Sequence, residues 1–301
     1  MVVYIISGLN PLVLKLTVAN ISPYEILAHR MTFAFLLALI PVLFGKIKIN
    51  LGIKDLIAIF PMIALYTLFF ILQTLALETL PSTEAGILLA MCPILVVILA
   101  TIFLKEKTNA TQIIFILGSV CSVIFIMVMN GANPEAFDAR GTVLMGFTVL
   151  SFALTTICLR RVAGKYPPHT LSLLLSGLGF VVYNIVLLGI RAYNEVTTPY
   201  FAYLADVRFL LAVIFLGCGS VFLTSFLSGY ALKTVESSLA IVFANLSTVI
   251  TIFAGVLLLS EVLFWYHVFG AIVIVLGVIG TNWFSNDAKT KRQKKRIKHA
   301  S

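Results

Sequence analysis

Ten runs of mostly apolar residues, each near the length of helix that crosses a bilayer, divide this 301-residue chain. They cover approximately 2–19, 23–44, 55–77, 83–104, 110–129, 142–159, 170–190, 209–232, 237–259 and 266–284. A membrane-spanning helix needs about 20 such residues. No water in hydrocarbon can satisfy the backbone amides and carbonyls, so only helices and closed barrels cross it. Barrel strands would alternate apolar and polar residues over about ten positions. Stretches such as Ile94–Ile98 and Ala271–Leu276 do not alternate. The expected fold is therefore an all-α membrane protein with ten transmembrane helices. Charged residues make up 11% of the chain, against about 25% in a soluble domain. A soluble globular enzyme, a disordered chain and a secreted disulfide scaffold are excluded. The first run is the weakest, since Pro11 and Lys15 interrupt it.

The formal net charge of +9 is concentrated in one place. Residues 285–301 carry seven basic residues and one acid, Asp287. Such a tail beside an apolar helix suits a cytoplasmic surface, where each Lys or Arg gains about 1 kcal/mol from anionic headgroups. Membrane lipid is the expected partner there, and nucleic acid is not. With this tail in the cytoplasm, sixteen Lys and Arg fall in the tail and the loops on its side, and only Arg140, Arg191 and Arg208 on the other. Cytoplasmic loops carry the positive excess in multi-pass proteins. Both termini are expected in the cytoplasm of a cell membrane. Cys92, Cys121, Cys158 and Cys218 all lie in apolar segments without metal-ligand spacing, and no metal or cofactor is expected.

An internal repeat is visible at an offset of 155. Segment 76–106 aligns on 231–261 with identities Ala76/Ala231, Leu77/Leu232, Thr79/Thr234, Ser82/Ser237, Ala85/Ala240, Leu104/Leu259 and Glu106/Glu261. The charges strengthen it. Glu78 precedes the fourth span and Lys233 its counterpart, while Lys105 and Lys107 follow the fourth span and Ser260 its counterpart. Equivalent loops therefore belong on opposite sides of the membrane, which follows when each repeat holds five helices. The expected organisation is a first repeat over 1–129, an external linker over 130–141, a second, inverted repeat over 142–284 and a basic tail over 285–301. Two inverted repeats with a path between them characterise many secondary transporters.

At this point the sequence resembles the drug/metabolite transporter superfamily, and within it the EamA-type transporters. Ser7–Lys15 (SGLNPLVLK) is similar to the family's first-helix motif, and Pro23 with Arg30 (SPYEILAHR) to the start of its second helix. The stretch EILAHR is closest to the RarD-like branch. Leu77–Ala85 followed by Pro93 and Glu106, and Tyr230–Ala240 followed by Glu261 and Gly270, resemble the third-to-fourth helix signature in each repeat. Ser7 stands where the family usually has Trp, and Thr248 where a Pro would match Pro93. The resemblance implies a central cavity lined by the first, third and fourth helices of each repeat. It also implies export of small metabolites or drugs without ATP.

Candidate residues divide by charge. Arg30 lies seven positions past Pro23, about 10 Å into the membrane at helical rise. An intramembrane Arg is costly and marks function by default. It either snorkels or bonds carbonyls structurally, or it biases the path toward anionic or zwitterionic solutes. Lys15 is near a helix end and can snorkel. Glu25 and His29 are spaced i,i+4 on one face, either as a solvated pair or as a proton relay that couples transport to the proton gradient. Uncharged candidates for substrate contact, on helices that the resemblance places around the cavity, are Asn10, Tyr66, Gln73, Ser151 and Thr155 in one group. Tyr230, Asn245, Ser247 and Thr248 form the other, and Pro93 can kink its helix and free carbonyls. Each polar candidate could instead bond between helices. The reading is a secondary transporter exporting an amino-acid-like metabolite or amphipathic drug, with no catalytic residues. The alternatives are a nucleotide-sugar or lipid-carrier translocator, and a non-transporting membrane enzyme or accessory subunit. An intramembrane serine protease is disfavoured. Ser176-Gly177 and Ser228-Gly229 match its short motif, but His267 sits at a helix start and such a fold gives no reason for inverted repeats.

Overall fold

The computed structural model describes residues 2–45, 52–105, 109–131, 138–162, 164–227 and 237–298, with backbone alone for 130, 131, 237–246, 282 and 284–298. Among the described residues there is no strand. Ten helices follow in order: α1 (Val2–Val18), α2 (Pro23–Leu43), α3 (Ile53–Thr79), α4 (Ser82–Phe103), α5 (Ala110–Gly131), α6 (Ala139–Val162), α7 (Pro168–Tyr193), α8 (Val207–Leu227), α9 (Ser237–Leu259) and α10 (Trp265–Lys298). Seven of them are long and apolar enough to cross a membrane; α1, Ser247–Leu259 and Trp265–Thr281 are shorter apolar helices. The ten sequence runs coincide with the ten helices to within a few residues. The largest differences are at two C-termini. The eighth run extends to 232 in the sequence, and its residues 228–232 lie outside the described residues. Helix α10 continues through the basic tail to Lys298. That continuation is natural, since Ala, Lys, Arg and Gln are strong helix formers and the tail lacks Gly and Pro.

Local chemistry sets the helix ends and breaks. Pro23 and Pro168 open α2 and α7, positions where the missing amide costs nothing. Pro93 lacks the amide that would close on Leu89, and α4 is interrupted at Ala90–Met91 into Ser82–Leu89 and Cys92–Phe103. In α8 the α-helix Val207–Ile214 runs into a π-helical segment, Phe215–Leu223. Helices α4 and α9 are each followed by a non-glycine residue in the left-handed region, Lys105 and Ser260, both with φ 53°. Left-handed residues of this kind commonly end helices.

Packing turns the usual soluble pattern inside out. Exposed side chains include Ile114, Leu117, Ile185, Phe253 and Leu257, while Asn10, Glu25, Arg30, Gln73 and Thr248 are buried. Helix α3 packs on α6, and α1 on α8; α1 packs on α9, and α6 on α4; α2 packs on α8, and α7 on α3. The pairs α2–α7, α4–α9 and α5–α10 complete the arrangement. Small residues let α5 and α10 approach closely: a Cβ at Gly277 would lie 3.0 Å from the Phe115 carbonyl oxygen. Ser122 Oγ donates to the Gly270 carbonyl at 3.0 Å, and Gln112 Nε2 to the Thr281 carbonyl at 2.9 Å. Close backbone approach and interhelical hydrogen bonds are how helices associate where lipid is as apolar as leucine.

Candidate functional site

Two polar groupings are buried among these helices. The first centres on Arg30 in α2. Its side chain is 0% exposed, and neither Nε nor either Nη has a hydrogen-bond partner among the described residues. The guanidinium Cζ stands 4.4 Å from the centroid of the Phe70 ring. Phe70 meets Tyr66 edge-on at 4.8 Å, and Phe69 lies 4.8 Å from Phe70 and 4.9 Å from Phe152 of α6. Tyr183 of α7 donates its hydroxyl to the Thr67 carbonyl and so ties α7 to α3. The π-helical segment of α8 packs against the α2 backbone at Arg30. A Cβ at Gly217 would overlap the Arg30 carbonyl oxygen and lie 3.1 Å from its carbonyl carbon.

The other uncharged candidates fall around this centre without forming one cluster. Asn10 Nδ2 donates to Ser220 Oγ, joining α1 to α8, and Asn10 Oδ1 has no partner among the described residues. Gln73 is 3% exposed with Oε1 likewise unpartnered. Tyr66, Ser151, Thr155 and Thr248 are buried. The Thr155 hydroxyl is committed to the Ser151 carbonyl at 2.8 Å, one turn back. Ser247 and Pro93 are half-buried, Pro93 just beyond the break in α4. Tyr230 and the Asn245 side chain lie outside the described residues.

The second grouping joins the start of α2 to the end of α7. Glu25 in the first turn of α2 forms an ion pair with Arg191 in the last turn of α7. Each charge also suits its helix terminus, an anion at the N-terminal end and a cation at the C-terminal end. Arg191 donates further to the carbonyl of Thr198 and, at 3.1 Å, to its hydroxyl. The loop after α7 is thus strapped down. Tyr200 donates to Asn184, and its ring stacks on His29 with centroids 5.1 Å apart. Burial and the Glu25 charge push the Tyr200 hydroxyl above the ordinary phenol value. His29 Nδ1 lies 3.6 Å from Glu25 Oε2, and Phe201 and Phe209 meet the imidazole edge-on. Glu25 and His29 are 5% and 2% exposed. The partners Arg191 and Tyr200 had no local signal, because they lie 166 positions from Glu25 and 171 from His29 and the fold alone brings them in.

The same end of the bundle holds further cross-links. Lys15 Nζ donates to the carbonyls of Leu77 and Glu78 at 3.0 and 3.3 Å, satisfying the last turn of α3. His267 Nε2 lies 3.8 Å from Glu84 Oε1, and both residues are buried. Asp138 accepts from the Thr79 hydroxyl and from the Gly141 amide at 2.8 Å. Burial pushes the Asp138 carboxyl up, but these bonds and the Arg140 amide outweigh it and hold it below the ordinary carboxylate value. Glu261, singled out in the sequence as a repeat identity, accepts from the backbone amides of Ser82 at 2.7 Å and Thr83 at 2.8 Å. A carboxylate there satisfies two orphan amides at the positive end of α4. Glu261→Ala should therefore lower the stability of the purified protein by about 1 kcal/mol. Thermal unfolding in detergent measures it, and Glu261→Gln, which keeps one acceptor, should lose less. At the opposite end Asp55 accepts from Lys165 Nζ at 2.7 Å and from the Tyr166 hydroxyl at 2.5 Å, joining α3 to the α6–α7 turn. Among the described residues no group of His, Cys, Asp and Glu could hold a metal ion.

Comparison with known proteins agrees with this architecture. A transporter of Bacillus subtilis (strain 168), named as the uncharacterized transporter YcxC, is 38% identical over 288 residues, 95% of this chain and 92% of that protein. An uncharacterized transporter of Archaeoglobus fulgidus is 26% identical over 276 residues, 90% of this chain and 92% of that protein. A solved crystal structure shares the fold with a TM-score of 0.64 at 14% identity, covering 95% of this chain and 96% of that one. The model of the EamA-like transporter family matches residues 1–128 and 139–283. This multi-pass membrane protein belongs to the EamA-like transporter family, within the drug/metabolite transporter superfamily.

Proposed function

We propose that the protein is a secondary transporter of the cell membrane that exports a small amino-acid-like metabolite or an amphipathic drug. Alternating access arises from rocking two inverted five-helix repeats, α1–α5 and α6–α10, around a midplane site. One observation carries this reading. Exchanging each helix with the one five places along maps six of the packing pairs onto one another: α3–α6 onto α8–α1, α1–α9 onto α6–α4, and α2–α8 onto α7–α3. The pairs α2–α7, α4–α9 and α5–α10 map onto themselves. The matching left-handed residues Lys105 and Ser260, at the same offset of 155 as the sequence identities, support the same exchange. The two stretches matched by the family model support it independently. Both termini are cytoplasmic in this reading, by the distribution of Lys and Arg. The solute path runs between the repeats, past Arg30 and the polar residues Asn10, Tyr66 and Gln73. Glu25 and His29 are the candidates for coupling to the proton gradient; facilitated diffusion down a solute gradient needs no coupling.

Two measurements test this. Single cysteines at positions 78 and 233, in a background without the four native cysteines, should react with an impermeant thiol reagent from opposite sides of the membrane. Reaction from the same side rejects the inversion. Cells lacking the protein should accumulate its substrate, read by untargeted metabolite profiling. Flux of that solute should then appear in proteoliposomes containing the pure protein.

A further inference from the structure

Arg30 has no anion to pair with among the described residues. Its flat guanidinium offers five N–H donors, and all three nitrogens lack partners among the described residues. A bare charge withdrawn from water is among the costliest arrangements a fold can hold. Such a group is best explained by a partner that is present only part of the time. Among the described residues its surroundings are aromatic and not acidic. Phe70 faces the guanidinium at 4.4 Å, with Tyr66 and Phe69 packed on Phe70 and Phe152 behind Phe69. Glu25, the carboxylate nearest in the chain, is already held by Arg191. Full burial of Arg30 means that this conformation is closed around it, so a solute reaches it when the bundle opens.

We propose that Arg30 and the Tyr66–Phe69–Phe70 wall form the binding site for an organic monoanion, a carboxylate carried on a flat apolar body. The proposal rests on the transporter reading above and replaces its amino-acid-like solute with a carboxylic acid that lacks the ammonium group. The carboxylate bonds the guanidinium fork in two parallel contacts, the geometry for which Arg is suited. The apolar body lies against the rings. An ammonium group on the solute finds no carboxylate there among the described residues, and burying it unpaired counts against a zwitterion.

The test uses three solutes that share a phenyl ring: 3-phenylpropionate, L-phenylalanine and phenethylamine. Thermal unfolding of the purified full-length protein is followed with each at matched ionic strength. The expected result is that 3-phenylpropionate raises the midpoint by a few degrees, L-phenylalanine by less, and phenethylamine not at all. Arg30→Gln should require about 10- to 100-fold more 3-phenylpropionate for the same rise. Should Arg30→Gln not fold, Arg30→Lys, which keeps the charge but loses the fork, should still show a weaker rise than the native protein. A midpoint unmoved by 3-phenylpropionate overturns the proposal. So does a larger rise with L-phenylalanine, or an undiminished rise in the folded variant. Proteoliposome flux separates the two levels of inference. Binding of 3-phenylpropionate without flux of any carboxylic acid rejects the transporter reading and leaves the site. Flux of L-phenylalanine without binding of 3-phenylpropionate rejects the site and leaves the transporter.

Discussion

Arg191→Met should leave the Glu25 carboxylate buried without its cation, and the purified protein should lose about 3–5 kcal/mol of stability. The magnitude follows from burial: the side chains of Arg191 and Glu25 are 10% and 6% exposed. An exposed ion pair would contribute under about 1 kcal/mol. Part of the loss also comes from the loop after α7, since Arg191 holds Thr198 by two hydrogen bonds. The double variant Glu25→Gln/Arg191→Met should recover much of the deficit, because it removes both charges and leaves none uncompensated. Thermal unfolding of the parent, the single variant and the double variant measures this. A single and a double variant of equal stability would show that the pair contributes through packing alone.

Gly217→Ala should be the most damaging single methyl group that can be added to α8. A Cβ there overlaps the carbonyl oxygen of Arg30 and comes within 3.1 Å of the Phe33 Cβ. Neither can swing aside, because one is backbone and the other is fixed to it. The expected cost is about 1–3 kcal/mol, the usual range for overpacking a well-filled interior. Transport should fall by more than stability alone explains, since the displaced element is the one pressed on Arg30. Gly219 in the same π-helical segment is the control. Its nearest neighbour would be Ile6 Cγ2 at 3.7 Å, an ordinary contact. Gly219→Ala should fold and transport normally, with a gain of up to about 1 kcal/mol from helix propensity. Equal tolerance of the two alanines would mean that α8 does not press on α2.

The helices could be located from the chain because each run needs only its own length and apolarity to be stable in lipid. Prolines 23, 93 and 168 similarly act on their own helices, as two starts and a break. The polar residues were harder to interpret. Glu25 and His29 share a helix face by spacing alone, yet spacing could not say whether water reaches them. The structure buries both, since Tyr200, Phe201 and Phe209 come from a loop and a helix far along the chain. Thr155 shows the opposite outcome. Its hydroxyl is taken by its own helix, which a hydroxyl in any helix can do.

From the residues alone came the all-helical membrane fold, the ten segments, the basic tail and the repeat at an offset of 155 with its opposed loop charges. These depend on local length, hydropathy and charge, which neighbouring residues carry without help from the rest of the molecule. Tertiary structure alone decided that Arg30 stands over Phe70 without a hydrogen-bond partner among the described residues, that Glu25 belongs to Arg191 and that Glu261 caps α4. Such contacts join residues up to 179 positions apart. Burial and pairing of a charge depend on what the folded chain brings beside it, and no property of the residue itself states that.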